Sequence, residues 1–352
     1  MNANVGDGAL DIPKRVDALK RVAKDYKKRN DLVGNGLKCR FALINGGNYM
    51  LLSSQTSNLF KTAELAKKYA PIFKEAGFDA LDYNIDALFP QGDVLSGKRF
   101  PLLERPSEEY LAYFDEITKI LQENGIEVGQ THAHFSTLIA AGDKERNEYL
   151  LELLKKEIEI TAAMGSKYIV IHPICRGYNI DYTWEMEKAE NITMYTALID
   201  TLKKYDVICC LENMWGMCNG KIVASACGNM IEAAEYIDTL NEIAGEERFG
   251  FCFDVGHSVV CSVDPVRSLI LLGDRVKALH LHDVEINRDS HTAPFRGVVD
   301  WDGLMRTLYS INYEGNLNFE ASACWNSLPE PLYPSAIKGL GDIGKYFMEK
   351  YF

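Results

Sequence analysis

The sequence predicts an α/β protein, a single (β/α)₈ barrel with an extra helix at its N-terminal side. Strand-length apolar runs alternate with helix-periodic segments eight times in 352 residues. Such alternation requires parallel strands joined by helical crossovers, and eight units is the number that closes a barrel. Five of the runs end in a carboxylate or an imidazole: 168–171 in His172, 207–211 in Glu212, 249–253 in Asp254, 276–279 in His280 and 317–319 in Glu320. Buried parallel strands that deliver polar side chains at their C-terminal tips read this way, so one shared polar site is expected at one end of the sheet. An open doubly wound sheet is the rival. Against it, no Gly-x-Gly-x-x-Gly follows the first predicted strand, and the ligand-type residues come from strands three to eight rather than from one switch point.

The elements follow in order. Residues 1–36 form an extension, in which Val16, Leu19, Val22 and Ala23 recur at helical spacing within the Lys/Arg-rich segment 11–30. The barrel is expected to occupy residues 37–352, with a first strand at 39–44 and a helix at 57–76 closed by Gly77. A strand at 78–83 leads to a helix at 107–124, which opens on Ser107 and an acidic first turn and has Gly125 behind it. A third strand at 126–130 opens into Thr131-His132-Ala133-His134-Phe135. Helices at 144–164, 192–205, 231–244, 265–272 and 301–311 each precede one of the five runs named above, and a helix at 336–351 ends the chain.

Composition narrows the function. A formal net charge of −12 repels polyanions, so neither nucleic acid nor an anionic membrane is an expected partner, whereas a small neutral carbohydrate meets no such barrier. The first residues lack a basic and an apolar segment of signal-peptide type, and no run is long enough to span a bilayer, so a cytoplasmic location is expected. Nine cysteines, an odd number with no Cys-x-x-Cys pair, suit a reducing compartment.

The seven histidines, His132, His134, His172, His257, His280, His282 and His291, all fall at predicted strand ends or just beyond them. A lone loop histidine is ordinarily hydrogen-bonded and inert; seven clustered with Asp and Glu point to a metal or catalytic site. His132 with His134, and His280 with His282, are two apart, and strand geometry turns each pair to one side. Mixed Asp, Glu and His donors without thiolate suit Mn²⁺ first, with Mg²⁺, Co²⁺ or Zn²⁺ also acceptable.

The ordered set His134, His172-Pro173, Glu212-Asn213, Asp254-x-x-His257, His280-x-His282-Asp283, Asp289-x-His291 and Glu320 resembles the xylose isomerase-like TIM-barrel superfamily of sugar phosphate isomerases, epimerases and AP endonucleases. The resemblance implies a divalent metal held by Glu212, Asp254, His280 and Glu320. It implies a sugar isomerase or epimerase that moves a proton next to a carbonyl through a metal-stabilised enediolate, with Glu212 and Glu320 as base and acid and His257 beside the oxygen that gains charge. His134, His172, His257, Asp289, His291, Arg176 and Trp215 are the expected substrate-binding or second-metal residues. Arg176, Tyr178, Trp184, Trp215 and Trp325 are candidates for an aromatic platform under a sugar ring.

Two features depart from the ketose 3-epimerases of that family. Residues 214–219 contain no acid where those enzymes usually carry a second glutamate, and Asp289-x-His291 has no counterpart in them. The same proton abstraction also starts dehydration of inosose-like polyols and cleavage of oxidised C-glycosides, so a lyase is an alternative. Nine positions, His134, His172, Glu212, Asp254, His257, His280, Asp289, His291 and Glu320, are similar to the trinuclear zinc set of the AP endonucleases, which makes a zinc phosphodiesterase a second alternative. A non-catalytic sugar-binding subunit is a third. Paired barrels among the look-alikes make a homo-oligomer an open expectation.

Overall fold

A computed structural model describes residues 50–135, 143–175 and 183–352. Its central sheet contains eight parallel strands: β1 (Leu52–Gln55), β2 (Ala80–Asn84), β3 (Glu127–His132), β4 (Tyr168–Val170) and β5 (Ile208–Glu212), then, after a hairpin of β6 (Trp215–Cys218) and β7 (Lys221–Ala224), β8 (Phe249–Asp254) and β9 (Val276–His280). A second hairpin, β10 (Asp283–Glu285) and β11 (Arg288–Thr292), precedes the last barrel strand, β12 (Leu317–Phe319). β12 pairs with β1, and the circle closes on the other side where Leu281 N–H donates to Asn318 O (3.0 Å) and Glu320 N–H to Leu281 O (3.0 Å). The protein is therefore a (β/α)₈ barrel.

The first strand lies further along the chain than expected. Residues 39–44, like the helix expected at 11–30, lie outside the described residues, and the first barrel position is taken by Leu52–Gln55. That strand reads Leu-Ser-Ser-Gln, all buried, and three polar residues in four hide it from any search for apolar runs. The helix expected at 57–76 begins only at Ala63, where the Thr62 side chain accepts a hydrogen bond from the Leu65 N–H (3.3 Å). The helix expected at 192–205 is two helices, Trp184–Thr196 and Ile199–Tyr205.

Two cores hold the barrel. The larger fills the space between sheet and outer helices and includes Phe73, Phe114, Phe249 and Trp325. The smaller one plugs the barrel interior with Val170, Ile208, Cys210, Cys252 and Ala278. Cys210, Cys252 and Ala278 each lie two residues before a polar strand-end residue (Glu212, Asp254, His280). With a side-chain period of two, the plug is thus one layer below the polar mouth and seals it from beneath. The eight described cysteines are free thiols, and among the described residues no helix is long and apolar enough to cross a membrane.

Candidate metal centre

The C-terminal tips of β5, β8 and β9 and the residue following β12 bring Glu212, Asp254, His280 and Glu320 together. One donor atom from each lies within 4.8 Å of the others. His280 Nδ1 stands 3.2 Å from Glu212 Oε1 and 3.3 Å from Glu320 Oε2, with Asp254 Oδ2 at 4.0 Å. All four residues are buried. Among the described residues His280 Nδ1 and Glu320 Oε2 have no hydrogen-bond partner, although a buried polar atom without a partner ordinarily costs about 1–3 kcal/mol. A divalent cation between them would satisfy both, so the residues fit such an ion.

Two further donor groups adjoin the first. Glu212 is shared with His132 and His172: its Oε2 is 3.1 Å from His172 Nε2 and 3.7 Å from His132 Nε2. The other group comprises His257, His282, Asp289 and His291. Asp289 Oδ2 lies 3.2 Å from His257 Nε2 and 3.1 Å from His291 Nε2, and it accepts the Trp215 indole N–H at 3.0 Å.

Local structure explains these positions. Asp254 is the N-cap of the helix Val255–Val260, and its Oδ1 accepts the His257 backbone N–H (2.6 Å); the Asp-x-x-His spacing is that of an N-cap and the third helical residue. His257 thus sits in a helix, whereas no histidine was expected in one. Asn213 grips the same turn, donating to Asp254 O and accepting from Asp254 N–H, both at 2.8 Å. Asp289 and His291 are two apart on β11 and share a face. His291 has φ +44°, a left-handed conformation that costs a non-glycine residue roughly 1–2 kcal/mol and is characteristic of functional sites.

Four imidazoles have one ring nitrogen anchored and the other turned to the donors. His132 Nδ1 donates to Ala133 O (2.8 Å), His257 Nδ1 to Asn213 O (2.8 Å), His291 Nδ1 to Glu320 O (3.1 Å) and His280 Nε2 to the carboxylate of Asp82 (3.1 Å). Fixing the tautomer in this way is what metal-ligating histidines need. The carboxylates differ in proton affinity. Burial raises Glu320 above the usual carboxyl value against the pull of His280 and His291. In Glu212 burial also works upward, but His280, His172 and His132 overcome it and hold the group well below the usual range.

Some expected residues lie elsewhere. His134 falls two residues past the end of β3 and turns outward, where its Nδ1 meets Glu157 Oε2 (2.8 Å) on the helix Lys144–Ala163; its place among the donors is taken by His132. Trp325 is fully buried and packs edge-on against Phe73, so it is core and not a platform. Trp184 opens an outer helix and donates to Glu232 (3.0 Å). Trp215 is partly buried with its indole N–H committed to Asp289. Arg176 and Tyr178 lie outside the described residues. His282, expected at the mouth beside His280 though without a named role, presents Nε2 to both Asp254 oxygens (3.1 and 3.0 Å) and stacks on His291 at 4.1 Å.

Comparison with known proteins bears on the fold and the family. The family model described as xylose isomerase-like TIM barrel matches residues 72–341. The uncharacterized protein y4fM of Sinorhizobium fredii is 25% identical over 269 residues, 71% of this chain and 78% of its own length. A probable endonuclease 4 of Acholeplasma laidlawii is 25% identical over 68% of this chain and 80% of its own. An inosose dehydratase of Geobacillus kaustophilus is 26% identical over 51% of this chain, which spans 63% of that relative. Among solved structures, a D-tagatose 3-epimerase-like protein superposes with a TM-score of 0.61 at 18% identity, over 85% of this chain and 97% of that one. The IOLI protein with a zinc atom gives 0.63 at 18%, over 86% and 99%. At such identity the structural likeness speaks for the fold.

Proposed function

We propose, for a chain that belongs to the xylose isomerase-like TIM-barrel family, that the protein is a metal-dependent enzyme that isomerises or epimerises a sugar or sugar derivative by proton transfer next to a carbonyl. The observation that carries this reading is the arrangement of Glu212 and Glu320, at 3.2 and 3.3 Å from the same His280 nitrogen. Two carboxylates that face one small space can remove a proton from a carbon and return it. Glu212, Asp254, His280 and Glu320 would hold the divalent ion, which supplies Lewis-acid stabilisation of the charge that develops on the substrate oxygens. His257 would hydrogen-bond the oxygen that gains charge, and the apolar plug excludes water from below. The printed names of relatives, an inosose dehydratase and a 3-epimerase-like protein, are in keeping with carbohydrate chemistry, and a lyase outcome starts from the same proton abstraction.

A second reading rests on the two adjoining donor groups. Three groups that meet through Glu212 and Asp254 offer donors for more than one ion, as a hydrolase of phosphodiesters would use, and one relative bears the name probable endonuclease 4. The net charge of −12 opposes DNA as the substrate.

One experiment separates the readings. Metal-reconstituted protein is incubated in D₂O with a panel of ketoses, inososes and 3-keto-glycosides, and carbon-bound deuterium is followed by NMR. Exchange beside the carbonyl, lost on chelation, is the expected result. Absence of exchange with every metal, together with incision of abasic DNA, would overturn the sugar reading in favour of the phosphodiesterase.

A further inference from the structure

Asp82 lies on β2, and no expectation from sequence placed it in the site. Its carboxylate reaches across the barrel interior, and a single oxygen, Oδ2, accepts three hydrogen bonds from three other strands: Gln130 Nε2 on β3 (3.0 Å), His280 Nε2 on β9 (3.1 Å) and Asn318 Nδ2 on β12 (3.1 Å). Asp82, Gln130, His280 and Asn318 are all buried, none more than 2% exposed. Asn318 is itself held by a second bond from the same nitrogen to Leu279 O (3.0 Å). His132, His257 and His291 rest on backbone carbonyls, whereas His280 rests on a side-chain carboxylate.

A neutral imidazole carries one N–H, and only its bare nitrogen can ligate a metal. A carboxylate cannot donate to His280 Nε2, so it obliges that nitrogen to carry the hydrogen. The bare nitrogen is then Nδ1, the atom that faces Glu212 and Glu320 and has no hydrogen-bond partner among the described residues. The opposite tautomer would place an N–H in the centre and an unpaired lone pair against Asp82. Gln130 and Asn318 bind the same oxygen from either side and limit its movement, so the ring is held in plane as well as in tautomer.

We infer that Asp82 is a positioning residue: braced by Gln130 and Asn318, it sets the tautomer and orientation of His280 and so makes the four-residue centre competent to take a divalent cation. The inference rests on the metal-binding reading of Glu212, Asp254, His280 and Glu320, and its test separates the two. In Asp82→Asn the side-chain shape is kept, but the amide can present either an oxygen or an N–H to the ring. Long-range ¹H–¹⁵N correlation of the histidine rings in metal-free protein, taken at a pH where the His280 ring is neutral, is expected to report Nε2–H for His280 in the wild type and a loss of that single state in the variant. Competition against a chromophoric chelator with Zn²⁺ and with Mn²⁺ is expected to show 10–100-fold weaker binding, the range found when such supporting groups are changed. Gln130→Leu, which retains the carboxylate, serves as the packing control and is expected to keep the Nε2–H state.

An unchanged His280 tautomer in Asp82→Asn overturns the inference, as does an affinity within twofold of wild type accompanied only by a lowered melting temperature, which would make Asp82 a structural brace. Failure of the wild type itself to bind metal would instead sink the metal-centre reading, and the tautomer measurement would still decide the role of Asp82.

Discussion

Glu320 offers the sharpest test at the scale of single residues. Replacing it by Gln keeps size and a neutral oxygen donor but removes the group that can hold and release a proton. Glu320→Gln is expected to lower turnover by about 10²–10⁴-fold while circular dichroism and melting temperature stay near wild type. Solvent exchange that proceeds undiminished would remove Glu320 from the mechanism. Asp86, beside His132, bears on stability. Its carboxyl is pushed up to about 6, by burial first, against the pull of His132 and the Asn84 amide, from an ordinary value of 3.8. Between those values the native protein binds more protons than the unfolded chain, so this group's contribution to stability falls as pH rises from about 4 to 6 and stays lost above. Asp86→Asn in metal-free protein is therefore expected to gain on the order of 3 kcal/mol at pH 8 and nothing at pH 4; a gain equal at both values would contradict the assignment. Much of the site was legible in residue types and spacing, because Glu212, Asp254, His280 and Glu320 each follow a strand of apolar character. His132 was obscured by parity reasoning, which treats His132 and His134 alike although the strand ends at His132. Asp82 was obscured because a carboxylate inside a strand gives no signal until the facing strands are known.

At the scale of elements, the short helix Val255–Val260 has a defined spatial limit. A Cβ built on Gly256 would lie 2.0 Å from His282 Cε1 and 2.5 Å from His282 Nε2, so the glycine is required for space and not for its backbone angle. His282 is fully buried and stacked on His291, which leaves the ring no easy retreat. Gly256→Ala is expected to cost about 1–3 kcal/mol, read as a lowered midpoint in urea at unchanged slope. An unaltered midpoint would mean that the ring moves freely. The elements that sequence located best are those with ordinary signals: Ser107–Glu123, Lys144–Ala163 and Phe249–Asp254 all fall within a few residues of expectation. Those it misplaced have competing physics. Strand β1 is polar because its neighbours in the barrel interior, Asn318 and Asp82, are polar too, and hydropathy cannot distinguish such a strand from a loop. Hairpins β6–β7 and β10–β11 give no strand signal in the sequence, since β6, β7 and β11 are mostly half-exposed and carry no apolar alternation and β10 is only three residues long.

For the whole molecule, eight alternating units sufficed to indicate a closed barrel even though the count began one segment too early. Closure has an electrostatic consequence that composition only hints at. Glu212, Asp254, Asp289 and Glu320 converge on one mouth of a chain whose net charge is −12, so the metal-free protein holds like charges together in a poorly solvated space. An ion bound there acts on the native state alone, since the four donors of the first centre come together only in the folded barrel. At a free metal concentration 100 times Kd, such binding adds about 2.7 kcal/mol, which for a barrel of this size is a rise of roughly 4 °C in melting temperature. Chelation followed by dialysis is thus expected to lower the melting temperature by that amount, and Mn²⁺, Co²⁺ or Zn²⁺ to restore it, whereas added NaCl, which screens exposed charge but not the buried cluster, restores little. A melting temperature indifferent to chelator and to every divalent ion would mean that the four donors hold no metal, and the proton-transfer chemistry assigned to this mouth would then lack its electrophile.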